Sequence, residues 1–202
     1  MKLYYSPGAC SLASHILLNE TGSKHELVKV NLGEHKTETG EDFYAINPKG
    51  AVPALKLDNG EVLTEGAAIL QYVGDHAAGS TVMPKAGSME RYRQAEWLNW
   101  IASEFHKPMG SFFNKAMTEK AGDLNRANVE NKLAHLDKHL AGHDFLMGKA
   151  FTAADAYAFT VLTWAGASGV DTAKYKNVAA YKERVGARPA VQKAMKAEGL
   201  VK

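Results

Sequence analysis

The sequence has a single cysteine, Cys10, in 202 residues. One cysteine excludes an internal disulfide framework and a paired redox centre of the Cys-x-x-Cys kind. It fits a reducing compartment, so the expected location is the cytoplasm. Charge of one sign is scarce too. The formal net charge is +2, which calls for neither a nucleic-acid nor a membrane surface. Long apolar runs are missing, and none approaches the roughly 20 residues of a membrane span. There is no internal repeat and no low-complexity tract. The first residues do not read as a signal peptide, because one charge and a short apolar stretch end at once in Pro7-Gly8. What remains is 46% hydrophobic and 23% charged, an ordinary globular balance. The length suits one large domain or two small ones sharing a core.

The first part of the chain reads as mixed α and β. Lys2 to Tyr5 is a short apolar strand stopped by Pro7-Gly8. Ser11 to Glu20 is a helical run, with Gly22 as its C-terminal cap. Leu27 to Asn31 is a strand, and charged, turn-rich Gly33 to Gly40 is a loop. Ala54 to Leu57 and Glu61 to Leu63 pair as a hairpin across Asp58-Asn59-Gly60, and Thr64 caps a helix to about His76. The order is β-α-β, a connecting segment, then β-β-α. Ala78 to Gly87 is a linker. Helices follow. Tyr92, Ala95, Leu98, Ala102, Phe105 and Met109 recur at spacings of three and four, with Pro108 expected to kink or interrupt them. A second long helix covers Asp123 to Leu140, and a third begins at Thr152. The expected domains are residues 1–80 and an all-helical 87–202.

Four patterns could carry chemistry. In Pro7-Gly8-Ala9-Cys10-Ser11 a strand ends and a helix begins at the cysteine. Amide donors and the helix dipole gather there and favour a thiolate, whether of Cys10 or of a ligand. Ser11 adds a hydroxyl. Cys10 reads equally as a small buried apolar residue. Asn47 to Leu55 places Pro53 before a strand, where Val52 could pair its backbone with an extended peptide or the proline could simply initiate the strand. Leu63-Thr64-Glu65-Gly66 puts an acid at a helix start. Such a junction suits a ligand bearing both carboxylate and ammonium, or a glutamate that only stabilises its helix. Asn99, Ser103 and His106 fall on one helical face, as a cleft lining or a solvated edge. His135 and His139 have a metal-ligand spacing without a completing third ligand, so no metal is expected. Thr152 and Asp155 read as a capping box and a folding element.

Together these segments resemble the bacterial beta class of cytosolic glutathione transferases over nearly the whole chain. The resemblance rests on Lys2-Leu3-Tyr4-Tyr5, Pro7 to Ala13, Asn47-Pro48-Lys49-Gly50, Val52 to Leu55, Leu63 to Gly66, Ala102 to Lys107, Phe151 to Tyr157 and Arg188 to Gln192. It implies a thioredoxin-like N-terminal domain, an all-helical C-terminal domain and a homodimer. It implies glutathione as cosubstrate, no permanently bound cofactor, and small apolar electrophiles as partners. Cys10 would lie beside the glutathione sulfur and form a mixed disulfide with it, with His106 near the thiol. Val52, before a cis Pro53, would pair with the cysteinyl unit. Glu65 and Gly66 would hold the γ-glutamyl end, and Asn99, Ser103 and Glu104 would add contacts from the helical domain. His35 stands where the family often has a lysine for the glycyl carboxylate. Tyr5 resembles the tyrosine that other classes use, but Cys10 is the expected sulfur partner. Tyr92, Phe105, Met109, Phe112, Phe113 and Trp164 are candidate pocket walls. The expected activity is glutathione transfer or glutathione-dependent disulfide reduction. The other reading is a weakly catalytic carrier of hydrophobic ligands.

Overall fold

The computed structural model describes residues 1–202, which form two compact units: 1–80 with 188–202, and 81–187. The first unit is built on a five-stranded sheet of β1 (Lys2–Tyr5), β2 (Glu26–Asn31), β3 (Lys36–Thr37), β4 (Ala54–Lys56) and β5 (Val62–Thr64), in the order β3-β2-β1-β4-β5. The β1–β2 pair is parallel and the other pairs are antiparallel, with Leu3 opposite Leu27 on one side and Leu55 on the other. The central strand is apolar because it is covered. Leu3 and Tyr4 are buried, and so are Leu12, Ile16, Leu17 and Leu18 of α1 (Ser11–Glu20) and Ile69, Leu70 and Val73 of α3 (Gly66–Asp75). On the sheet's other side Tyr4, Val30, Phe43, Val52 and Ala54 form a second cluster.

The sequence expectations need four corrections in this unit. The segment read as a plain loop contains β3, and the connecting segment contains α2 (Phe43–Ile46), whose first turn is capped by Asp42 accepting from the Tyr44 amide. Both are too short for periodicity to register. Thr64 does not cap α3. It ends β5, and Glu65 takes the capping position with φ +71° and no side-chain cap bond. The third correction is α9 (Pro189–Ala197), expected in the helical domain. It packs on α1 with Val191 and Ala194 buried, and Arg188 pairs with Glu20. An apolar stripe tells that a helix face is covered, but not by what. The fourth is the strand read as Leu27 to Asn31, which starts one residue earlier.

The second unit contains α4 (Met89–Trp100), a π-helical segment Ile101–His106, α5 (Lys107–Ser111), α6 (Glu119–Leu140), α7 (Ala153–Thr163) and α8 (Lys176–Gly186). Pro108 does not interrupt the helix. A proline lacks the amide that would bond the carbonyl four residues back, and the wider π winding just before it carries the helix through. Ser88 caps α4, and Thr118 caps α6 four residues earlier than expected. The helix α7 is buried from Ala153 to Leu162, which marks it as the centre of this unit. Its capping box is present: Asp155 accepts from the Thr152 amide and hydroxyl. The expected linker is partly tied down, because the Val82 carbonyl accepts from the Ala153 amide and from Gln94 Nε2.

Candidate active site

The turn between β1 and α1 is closed by its own polar groups. Ser11 Oγ accepts from the Ser6 amide at 3.2 Å and donates to the Ser6 carbonyl at 3.3 Å. That hydroxyl is fully buried, so Ser11 shapes the turn and offers nothing to a ligand. Gly8 sits at φ +71°, where a Cβ would also lie 3.3 Å from Leu200 Cδ2. The Gly8 amide donates to Glu198 Oε2 at 2.9 Å, and the other oxygen of Glu198 meets His15 Nδ1 at 2.9 Å. These contacts set Cys10 at the start of α1. No acidic residue lies in the first turn of α1, so the helix field there is unopposed and favours negative charge. Cys10 Sγ donates to the Val52 carbonyl at 3.1 Å.

Val52 and Pro53 join through a cis peptide bond at the head of β4. Cys10, Val52 and Pro53 are therefore brought together, the arrangement that the family resemblance implies. Tyr5 is buried, and its phenol is pushed above the ordinary value by burial, then by Glu198 and Glu38. Such a phenol is a poor source of a proton or of stabilising charge for a sulfur anion.

His35 and Glu65 are the two non-glycine residues with positive φ, at 51° and 71°. Strained backbone of this kind gathers at ligand sites. The His35 ring lies 4.4 Å from the Tyr44 ring, and its Nδ1 is buried with no hydrogen-bond partner. Gly50, at φ +63°, makes room for both rings. A Cβ there would come within 2.6 Å of Tyr44 Cε1 and 3.0 Å of His35 Nδ1. The Glu65 carboxylate is held by Lys49 Nζ at 2.5 Å, which also donates to Thr64 Oγ1 at 3.1 Å. Gly66 opens α3, and a Cβ there would meet only Pro53, at 3.9 Å.

In the second unit the π winding changes the phase of the expected polar stripe. Asn99, Ser103 and Glu104 stay exposed, whereas His106 turns inward to Tyr157 and Trp164. The three-and-four spacing assumed an unbroken α-helix, and this segment is not one. Ser103 Oγ donates to the Asn99 carbonyl, and Lys132 pairs with Glu104 at 2.8 Å. His106 Nδ1 lies 2.7 Å from the Tyr157 hydroxyl. Burial, then the Lys107 charge, lowers its pKa to about 4. The ring is neutral at pH 7, so it carries a hydrogen bond or a base but no positive charge.

Phe105 and Met109 are fully buried and cannot wall an open pocket. Their periodicity marks the core of the unit. Phe113 is 53% exposed and meets the largely buried Trp164 ring at 6.0 Å, while Phe112 lies beneath Arg126 and Tyr92 is exposed. His135 and His139 stand against Trp97 and Trp100, and His139 Nε2 is taken by the Leu146 carbonyl. Three residues with clear places in the structure drew no role from the sequence. Lys49 and Tyr157 lay inside recognised motifs without an assigned contact. Glu198 gave no local signal at all, since its partners lie more than 180 residues away.

A thioredoxin-like sheet with one cysteine at its first helix start, followed by a helical unit, defines a protein that handles thiols. The sequence pattern of the glutathione S-transferase N-terminal domain matches residues 8–76, and that of the C-terminal domain matches residues 100–189. Glutathione S-transferase GstA of Escherichia coli O157:H7 is 46% identical over 200 residues, covering 99% of this chain and 100% of the relative. A sphingomonad glutathione S-transferase solved in complex with glutathione superposes with a TM-score of 0.96 at 49% identity, over 100% of both chains. The bacterial beta class glutathione S-transferase of Sphingomonas chungbukensis gives 0.96 at 46%, again over 100% of both. The chain belongs to the glutathione S-transferase family, and its structural neighbours include the bacterial beta class.

Proposed function

We propose that this chain is a glutathione S-transferase that uses glutathione as cosubstrate and Cys10 as a thiol-exchange group. The observation that carries the reading is Cys10 at the start of α1 with its Sγ 3.1 Å from the Val52 carbonyl. A sulfur in this position meets the positive end of a helix and the strand edge at which a peptide thiol would be held. A carbonyl has two lone pairs, so Val52 can keep Cys10 and still accept from a ligand amide. In this reading Glu65 and Gly66 take the γ-glutamyl end and His35 the glycyl carboxylate.

Two reactions follow from such a site. In conjugation the glutathione thiolate attacks an electrophilic carbon, a new C–S bond forms, the leaving group departs with its electron pair, and the thiol proton passes to solvent. In exchange the Cys10 thiolate attacks a disulfide sulfur, a mixed disulfide forms and the other thiolate leaves. A second glutathione then cleaves the mixed disulfide. His106 acts in either case as a neutral imidazole. The proposal extends to a homodimer acting in the cytoplasm on small apolar electrophiles. No helix is long and apolar enough to cross a membrane.

The test is a pair of assays, with an aromatic halide and with a glutathione mixed disulfide, on wild type, Cys10→Ala and His106→Gln. Wild type is expected to turn over at least one substrate. Cys10→Ala is expected to lose disulfide reduction. Retention of disulfide reduction by Cys10→Ala contradicts the role given to Cys10.

A further inference from the structure

Glu65 stands at the cap position of α3, and its side chain makes no cap bond. Its carboxylate instead holds a cation. Lys49 Nζ bonds Glu65 Oε1 at 2.5 Å and Thr64 Oγ1 at 3.1 Å, so one ammonium bridges two acceptors beside the start of α3. The backbone beneath Lys49 is fixed, because its amide donates to Asn47 Oδ1 and the Gly50 amide donates to the Asn47 carbonyl. Only the flexible stem can move. The two side chains are 55% and 68% exposed, which makes the pair weak and displaceable. A ligand ammonium on Glu65 would share that carboxylate with the Lys49 charge, and the two cations repel.

We infer that Lys49 is a specificity-determining residue whose ammonium competes with the ligand's α-ammonium for the Glu65 carboxylate. This rests on the reading of Glu65 as the site for the γ-glutamyl end. Lys49 already offsets part of the Glu65 charge, so wild type realises only part of what the ligand's ammonium could gain there. A ligand lacking it leaves the Lys49–Glu65 pair intact. Lys49 therefore narrows the preference for glutathione over its deamino analogue, glutaryl-cysteinyl-glycine. The analogue keeps every other group of glutathione, including the carboxylate, so the ratio of the two affinities isolates the ammonium.

Titration calorimetry of both peptides into wild type, Lys49→Met and Lys49→Gln tests this. Both variants are expected to raise the preference for glutathione by roughly two- to fivefold, the span of an exposed ion pair. The gain is expected to come from tighter glutathione binding and to shrink at high salt. An unchanged or smaller preference in both variants overturns the inference. Equal weakening of both peptides overturns it too, and makes Lys49 a carboxylate contact instead. Absence of glutathione binding to wild type overturns the glutathione reading itself, whatever Lys49 does.

Discussion

The side chains of His106 and Glu65 decide most at the scale of single residues. His106 has a pKa lowered to about 4 by burial and by Lys107, against 6.5 for an ordinary histidine. Between those values the unfolded chain binds a proton that the folded chain does not, so stability rises with pH across that window and falls on acidification. His25 and His139 are lowered too, mainly by burial, and act in the same direction. Thermal melts are expected to drop as pH falls from 6.5 to 4, and less steeply in His106→Gln than in wild type. Equal slopes would contradict the burial argument. The same neutrality predicts that activity between pH 6 and 8 carries no inflection from His106, which a kcat profile can check. The sequence pattern sets His106 on one face with Asn99 and Ser103, whereas the π segment turns it inward. The pattern could not give its charge state, because Tyr157 and Trp164 come from a distant helix.

Short elements position the site, and they were the hardest to read. The cysteine helix, the hairpin of β4 and β5, and the capping box of α7 were legible, because each has a local signal in turn residues, alternation or caps. The two-residue β3, the single turn of α2 and the π segment have none. Even so, α2 supplies Tyr44 against His35, and the π segment turns His106 toward Trp164. Gly50→Ala tests the first of these. A Cβ at φ +63° costs about 1–2 kcal/mol in backbone strain alone, and it would also push on Tyr44 and His35. The expected result is a lower melting temperature together with weaker glutathione binding, measured by calorimetry. Asp155→Ala tests the α7 cap. It strands the Leu146 and Thr152 amides, each lost partner costing about 1–3 kcal/mol, and leaves the Tyr181 hydroxyl only its longer bond to the Asp155 carbonyl at 3.4 Å. A denaturation midpoint close to wild type would contradict this account.

For the molecule as a whole, the division at residue 80 was legible from the linker composition, but the return of the chain end was not. Residues 188–202 belong with the sheet, and Glu198 reaches the Gly8 amide and His15. No window of sequence contains both ends of that contact. Glu198→Ala takes the carboxylate from the buried His15 Nδ1, at about 1–3 kcal/mol, and removes one acceptor of the Gly8 amide. Urea denaturation is expected to show that loss, and Glu198→Gln is expected to recover part of it.

The role proposed for Cys10 requires that the thiol occupy a site that recognises glutathione. Intact-mass spectrometry of the protein with oxidised glutathione, and separately with a small disulfide lacking any peptide, measures this directly. The predicted result is the gain of one glutathionyl group on wild type, faster than reaction with the simple disulfide at equal concentration, and slowed in Glu65→Gln for oxidised glutathione alone. No mass gain, or equal rates with both disulfides, would contradict it.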